Sequence, residues 1–238
     1  GLLVGKYKQD KIWFIEDNFG VNKKRIFKLA KGIVDHGYHQ KAEFIAELRA
    51  DSVDRELIAR LKEANFTMFV FGSETGSERL MKIVQKRETV EQNNNAIRIA
   101  HEYGIKVSTT YIFGLPTETN EERKLTFKLS QMLPLDNVRF NTAIPYPGTY
   151  LYELAKAENR LNILQGWENF SVQYYLMGDY IPYYPEGTNK YVLIYETMKA
   201  NIRTYISIRG IKSMIKSPLS GGAAVSLPKQ WTFNDFIK

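Results

Sequence analysis

The sequence predicts an α/β fold in which a parallel sheet with right-handed helical crossovers, either open or curled into a barrel, is followed by a smaller mixed extension. Three observations carry this. Five short apolar runs, rich in the bulky residues of a sheet buried on both faces, are each followed by a stretch with apolar residues at helical spacing. Serial strand-then-helix units are ordinarily satisfied by parallel pairing with right-handed crossovers. With 238 residues, 44% apolar and 25% charged, the chain can bury a large core.

In the first unit, the apolar run at 11–15 passes directly into Glu16, Asp17 and Asn18, and a helix is expected from about residue 22 with Ile26, Leu29, Ala30 and Ile33 on one face, stopping near Gly37. The second unit has a strand at 43–48, a polar exit at Arg49 and Asp51, and a helix over 53–64 with Leu57, Ile58 and Leu61 together. In the third, Met68, Phe69, Val70 and Phe71 form a short buried strand that Gly72 is expected to end. Gly72 and Gly76 permit a sharp turn, Ser77 can cap the next helix, and Glu74 projects from the strand's C-terminal edge. Helical material follows in two pieces, 77–84 and 90–103. The fourth strand, 105–113, ends in Gly114-Leu-Pro-Thr-Glu-Thr119, where Thr119 or Asn120 followed by Glu122 marks a helix start. The fifth, 137–144, ends in Pro145-Tyr-Pro-Gly-Thr149 before a helix through Leu151, Leu154 and Ala155.

Residues 1–160 thus read as the main domain and 161–238 as an extension. The extension holds an aromatic, Pro-containing covering segment at 167–185, a basic helix at 190–208 and a flexible linker by composition at 217–225. Of the formal charge of +7, the segment from Gly187 onward supplies +6, eight basic residues against two acidic. This basic segment reads most simply as an amphipathic helix, with RNA or a membrane surface as the other readings. No run of eighteen apolar residues and no charged-then-apolar leader is present, so a cytoplasmic protein without a membrane span is expected. The start at Gly1 rather than Met reads as a cut or incomplete chain. There is no cysteine, which excludes disulfides, thiolate zinc sites and cysteine-ligated iron–sulfur clusters within these residues.

If the strands are parallel, their exits converge on one rim bearing Glu16, Asp17 and Asn18; Glu47 and Arg49; Ser73 and Glu74; Thr110 and the Gly114 turn; and Asn141. In parallel α/β folds ligands sit at that edge, and this set suits a polar ligand carrying amine, hydroxyl and carboxylate groups. Any one of these residues alone is explained by helix capping; five consecutive polar exits are not. His36 and His39 are read as a solvated helix end rather than a metal site, His101 as a surface residue, and the run Glu121-Glu122-Arg123-Lys124 as a solvated helix start. The tyrosines 174, 175, 180, 183 and 184 either stack on a substrate or pack a cap onto the main domain.

Five exit motifs in order, Phe14-Ile-Glu-Asp-Asn-Phe19, Glu47-Leu-Arg-Ala-Asp51, Phe71-Gly-Ser-Glu-Thr-Gly-Ser77 with Leu80 and Lys86, Ile112-Phe-Gly-Leu-Pro-Thr-Glu-Thr119 and Pro145-Tyr-Pro-Gly-Thr149, resemble those of radical S-adenosylmethionine (radical SAM) enzymes over about residues 8 to 156. The closest likeness is to the subgroup often preceded by a cobalamin-binding domain, which includes relatives of the methylthiotransferases. The resemblance implies a partial (β/α)6 TIM-like barrel whose second strand is the first one here. It also implies S-adenosylmethionine held at the C-terminal rim. Glu16, Asp17 and Asn18 resemble the segment meeting the amino group. Glu47 and Glu74, with Arg49 and Ser73 at the same exits, resemble polar residues near the ribose and methionine ends. Lys86 resembles the cation facing the carboxylate. The stretch from Thr110 through Ile112 to Gly114 resembles the strand against adenine, with Asn141 at the next exit; Thr117 stands where many relatives have a second glycine.

The chain departs from the family in lacking the three-cysteine loop that binds a [4Fe–4S] cluster after the first strand. In the family that cluster, reduced by a donor such as flavodoxin or ferredoxin, cleaves the cosubstrate to a 5′-deoxyadenosyl radical for methylation, cyclisation or sulfur insertion. One account places the loop upstream, with cobalamin as a possible further cofactor and the chain alone inactive. The other readings are a cluster-free barrel acting as a binding module, and an RNA-modifying member.

Overall fold

A computed structural model of the chain describes residues 1–16, 18–171 and 180–206. Strands β1 (Lys11–Phe14), β2 (Glu43–Leu48), β3 (Phe66–Glu74), β4 (Lys106–Phe113) and β5 (Asn137–Thr142) form one sheet in the order β1-β2-β3-β4-β5. Every neighbouring pair is parallel. The connections are α1 (Lys23–Asp35), α2 (Arg55–Glu63), α3 (Glu78–Ile83) with α4 (Val90–Glu102), and α5 (Asn120–Met132). Helix α6 (Tyr150–Ala157) follows β5, and α7 (Lys190–Ile206) lies against β5. All five C-terminal strand ends therefore lie at one rim, as the strand-then-helix pattern requires.

The helices begin where the sequence places a short polar side chain. Asn22 accepts from the Arg25 amide, Asp54 from Leu57, Ser77 from Leu80, and Thr149 from Tyr152, while Thr89–Gln92 and Thr119–Glu122 form reciprocal capping boxes. Each such cap contributes about 1 kcal/mol. Alternate strand residues face the helices. Phe44, Ala46 and Leu48 of β2, Phe69 and Phe71 of β3, Val107, Tyr111 and Phe113 of β4, and Val138 and Phe140 of β5 all join the main buried core. Phe14, Phe19, Phe44, Phe66 and Phe69 pack ring against ring within it, at centroid separations from 5.0 Å to 6.3 Å.

The structure departs from the sequence reading in two places and adds a third feature which that reading did not address. Strand β3 does not stop at Gly72 but continues to Glu74, and the register with β4 shifts between Gly72 and Glu74. Backbone pairing outlasts the apolar run because it is indifferent to side-chain polarity. Second, Glu122 and Arg123 are not a solvated helix start. Arg123 is 2% exposed, bonded to Glu118 at 3.0 Å and to Glu196 of α7, and Glu122 accepts from Ser77 and Arg79 of the preceding unit. Third, Asn201 of α7 caps the free side of β5: its Oδ1 accepts from the Phe140 amide at 3.0 Å and its Nδ2 donates to the Phe140 carbonyl at 2.8 Å. A single side chain thus supplies the two bonds a further strand would make at that residue.

Past α6, Ile181, Tyr183 and Pro185 are buried. Tyr174, Tyr175 and the linker at 217–225 lie outside the described residues, as does the basic segment beyond Ile206.

Candidate functional site

The face of the sheet opposite the helix-packed core carries the other parity of strand residues. Parallel register sets Glu47 beside Val70, Val70 beside Ser108, Gly72 beside Thr110, Thr110 beside Arg139, and Ile112 beside Asn141. Four expected site positions, Glu47, Thr110, Ile112 and Asn141, are therefore brought onto one inner face near its C-terminal rim, and Glu74 reaches that face past the register shift, its carboxylate lying over Gly72. Ser73 is not among them: it points to the helix side, is 2% exposed, and shares a hydrogen bond of 2.7 Å with Thr109. Alternation from Phe71 through Gly72 turns Ser73 to the helix side, before the register shift between Gly72 and Glu74 interrupts it.

The centre of the rim is a run of ion pairs. Lys86 Nζ donates to Glu74 Oε1 at 2.9 Å, directly over Gly72, where an added Cβ would lie 2.7 Å from that oxygen and 3.1 Å from the ammonium. Arg49 donates to Asp51 at 2.8 Å and to the Lys86 carbonyl at 3.2 Å, and lies 3.3 Å from Glu88. Burial pushes the Glu88 carboxyl up, against the lowering effect of Lys86 and Arg49. The hydrogen bond to Asp51 raises Arg49, so this guanidinium stays charged. Glu74 and both neighbours of Lys86 adopt left-handed backbone, with φ of 58° at Glu74, 52° at Gln85 and 57° at Arg87. For residues with a Cβ each such conformation costs about 1–2 kcal/mol, and such strain concentrates at functional sites. The loop that presents Lys86 to the rim is thus held by Arg49 in a shape the isolated chain would avoid.

Two further rim features bear on a ligand. Asn141 Oδ1 is buried with no hydrogen-bond partner among the described residues, an arrangement that costs about 1–3 kcal/mol. Beside it Ile112 packs with Leu80, Leu115, Ala143, Ala155 and Tyr183 in a separate apolar cluster. Gly114, at φ 77°, also meets α7: the place of its missing Cβ is taken by Leu193, whose Cδ2 would lie 2.7 Å away. Its amide donates to Glu118 at 2.6 Å. Burial pushes the Glu118 carboxyl up to about 7 despite Arg123 beside it. Thr117 takes φ 61°, the conformation open to glycine, and is held there by Arg79, which donates to its hydroxyl and its carbonyl at 2.8 Å each.

At the β1 exit the expected residues are engaged locally. Glu16 is paired to both terminal nitrogens of Arg25, at 3.1 Å and 2.5 Å, and Asn18 accepts from the Gly20 amide at 3.1 Å. Asp17 lies outside the described residues. A groove of about 700 Å³ runs between the β1 and β2 exits, lined by Asn18, Val21, Asn22, Lys23, Asp51 and Ser52. Glu88 and Asp51 were not among the expected site residues. Asp51 had a local signal, two residues past Arg49 at a strand exit; Glu88 had none, because nothing in the sequence ties it to Arg49.

Such a rim can hold a zwitterion, an ammonium by its carboxylates and a carboxylate by Lys86 or Arg49, with Ile112 and the Asn141 acceptor left for a flat heterocycle. S-adenosylmethionine has these parts, so the residues fit it. An iron–sulfur cluster does not fit on this chain's own side chains: there is no cysteine, and the described residues hold no group of three or more His, Cys, Asp or Glu placed for a metal.

The model of the radical SAM superfamily matches residues 8–130. The chain is 31% identical over 170 residues to an uncharacterized methyltransferase of Pyrococcus horikoshii, covering 71% of this chain and 36% of that protein. It is 33% identical over 121 residues to a putative methylthiotransferase of Methanocaldococcus jannaschii, covering 49% and 27% respectively. The chain thus spans about a third of the length of these relatives. Among solved structures it resembles the radical S-adenosylmethionine methyltransferase TsrM of Kitasatospora setae with cobalamin and [4Fe-4S] cluster bound, at TM-score 0.58 and 19% identity, over 69% of this chain and 31% of that one.

Proposed function

The chain belongs to the radical SAM superfamily, and from that premise we propose that its inner rim is the S-adenosylmethionine site of an enzyme that methylates or otherwise modifies a substrate not yet known. The observation that carries this reading is the Glu74–Lys86 pair, half-buried over Gly72 and held by three left-handed residues. Each partner is already matched to an opposite charge. Replacing that pairing by a ligand's carboxylate on Lys86 and its ammonium on Glu74 or Glu47 exchanges one set of charge-assisted contacts for another, at little net desolvation cost. Arg49 positions the Lys86 loop through its carbonyl. The Asn141 acceptor gains the partner it lacks, from an exocyclic amine or a ribose hydroxyl, and Ile112 with Thr110 lies against the adenine.

When bound, S-adenosylmethionine supplies a carbon radical by one-electron cleavage of a carbon–sulfur bond. The cluster ligands lie outside this sequence in this reading, the electron comes from a flavodoxin- or ferredoxin-like donor, and the chain by itself binds without reacting. A cobalamin-binding domain as partner is supported by the fold likeness to TsrM, whose structure holds cobalamin. The names of the two curated relatives support methyl or methylthio transfer as the reaction class.

Calorimetric titration of the chain with S-adenosylmethionine tests the site. Lys86→Ala is expected to weaken binding about tenfold to a hundredfold, the worth of a charge-assisted hydrogen bond. Saturable binding that Lys86→Ala and Glu74→Gln leave unchanged would move the site elsewhere. No binding by the wild-type chain would remove it. Release of 5′-deoxyadenosine under reduction by the cluster-loaded full-length protein separates the enzyme from the binding module.

A further inference from the structure

Helix α7 is amphipathic toward the sheet but not toward solvent. Leu193, Ile194, Thr197, Ala200 and Asn201 are buried against the rest of the molecule, which accounts for one face. At 100° per residue the opposite face carries Tyr191, Tyr195, Lys199, Ile202, Arg203 and Ile206. Their apolar members are 60%, 61%, 50% and 67% exposed at 191, 195, 202 and 206. The outward face of a docked helix is ordinarily polar or charged. The one acid between residues 190 and 206, Glu196, is drawn away to Arg123. What remains outward is aromatic, aliphatic and cationic with no anion, and Lys199 lies 5.4 Å from the Tyr195 ring centroid.

We propose that this face of α7 docks on an anionic membrane surface. The helix would lie in the headgroup plane with Tyr191, Tyr195, Ile202 and Ile206 in the acyl boundary and Lys199 and Arg203 reaching lipid phosphate. Aromatic rings with flanking cations are the composition of interfacial helices. No helix among the described residues is long and apolar enough to cross a membrane, so the contact is one of lying on the surface. A second copy of the chain fits less well: two such faces brought together set Lys199 and Arg203 against their own kind with no acid to pair them. Single-stranded nucleic acid would use the tyrosines and cations but offers nothing to Ile202 and Ile206. The proposal is independent of the S-adenosylmethionine site and goes beyond it.

Co-sedimentation of the full chain with phosphatidylcholine vesicles, with and without roughly one-third phosphatidylglycerol, tests it. Binding to the anionic vesicles alone, weakened by high salt, is expected. Each cation near such a surface is worth about a fivefold change in affinity, so Lys199→Gln with Arg203→Gln should lower binding about 25-fold. Ile202→Ser with Ile206→Ser should lower it at every salt concentration. All four positions are on the exposed face, so folding, checked by circular dichroism, should be unaffected. The proposal is overturned by absence of binding to anionic vesicles, whether or not the chain binds single-stranded RNA in a gel shift or dimerises through this face, by equal binding to neutral vesicles, or by vesicle binding that both double variants retain, which would assign it to other residues.

Discussion

Replacing Asn201 by Ala probes the contact that closes the β5 side of the sheet. Asn201 is 8% exposed and pairs with both the amide and the carbonyl of Phe140, at 3.0 Å and 2.8 Å, while its Nδ2 also donates to the Thr197 carbonyl at 3.0 Å. Phe140 itself is fully buried, so water replaces these bonds poorly. Each buried backbone group left unpaired costs about 1–3 kcal/mol, giving an expected loss of about 2–5 kcal/mol for the two Phe140 groups. That is a large share of the stability of an ordinary domain. Urea denaturation followed by circular dichroism measures the loss, and hydrogen exchange at the Phe140 amide shows whether protection falls with it. Asn201→Asp is the companion variant. It keeps the acceptor for the amide but loses the donor and buries a carboxylate, whose pKa rises on burial. Its native state therefore binds a proton more tightly than its unfolded state, and its deficit should shrink as pH falls from 7 toward 4. A loss below about 0.5 kcal/mol for Asn201→Ala, within the range of ordinary surface substitutions, together with unchanged exchange at Phe140, would refute the edge-capping account.

Gly72→Ala should leave stability within about 1 kcal/mol, because its Cβ meets only the ends of two flexible side chains, yet it displaces the Glu74–Lys86 pair and should weaken S-adenosylmethionine binding in calorimetry. Asn141→Leu should raise the urea midpoint of the free chain, by removing a buried acceptor without a partner among the described residues, while lowering affinity for the ligand. Glu122 is held down to about 2, against an ordinary 4.5, chiefly by Arg79 and further by Ser77 and Thr119. A lowered folded pKa makes its contribution complete above pH 4.5 and lost as pH falls toward 2. With Arg79 half exposed this amounts to about 1–2 kcal/mol after solvent screening. Glu122→Gln should therefore flatten the acid limb of stability against pH in urea titrations at pH 7 and pH 3.

The strand-then-helix rhythm, the capping residues and the converging exits were legible because each depends on local spacing. Apolar period, a short polar side chain before a helix, and the alternation of a strand are set by residues a few positions apart. From these follow the parallel order β1 to β5, the helix starts at Asn22, Ser77 and Thr119, and the inner-face placement of Glu47, Thr110 and Asn141. Ser73 illustrates the limit within even that local logic, since a strand carried two residues past Gly72 turns it to the helix side.

Tertiary structure alone decided the pairings across units. Arg123 reads as a solvated helix residue until Glu118 and, 73 positions on, Glu196 enclose it. Arg49 meets Glu88, and the space of Gly114's missing Cβ is taken by Leu193. The reason is physical: a charge becomes buried, or a glycine indispensable, only through what distant segments bring against it. Those contacts are fixed by packing of the whole chain rather than by any window of it.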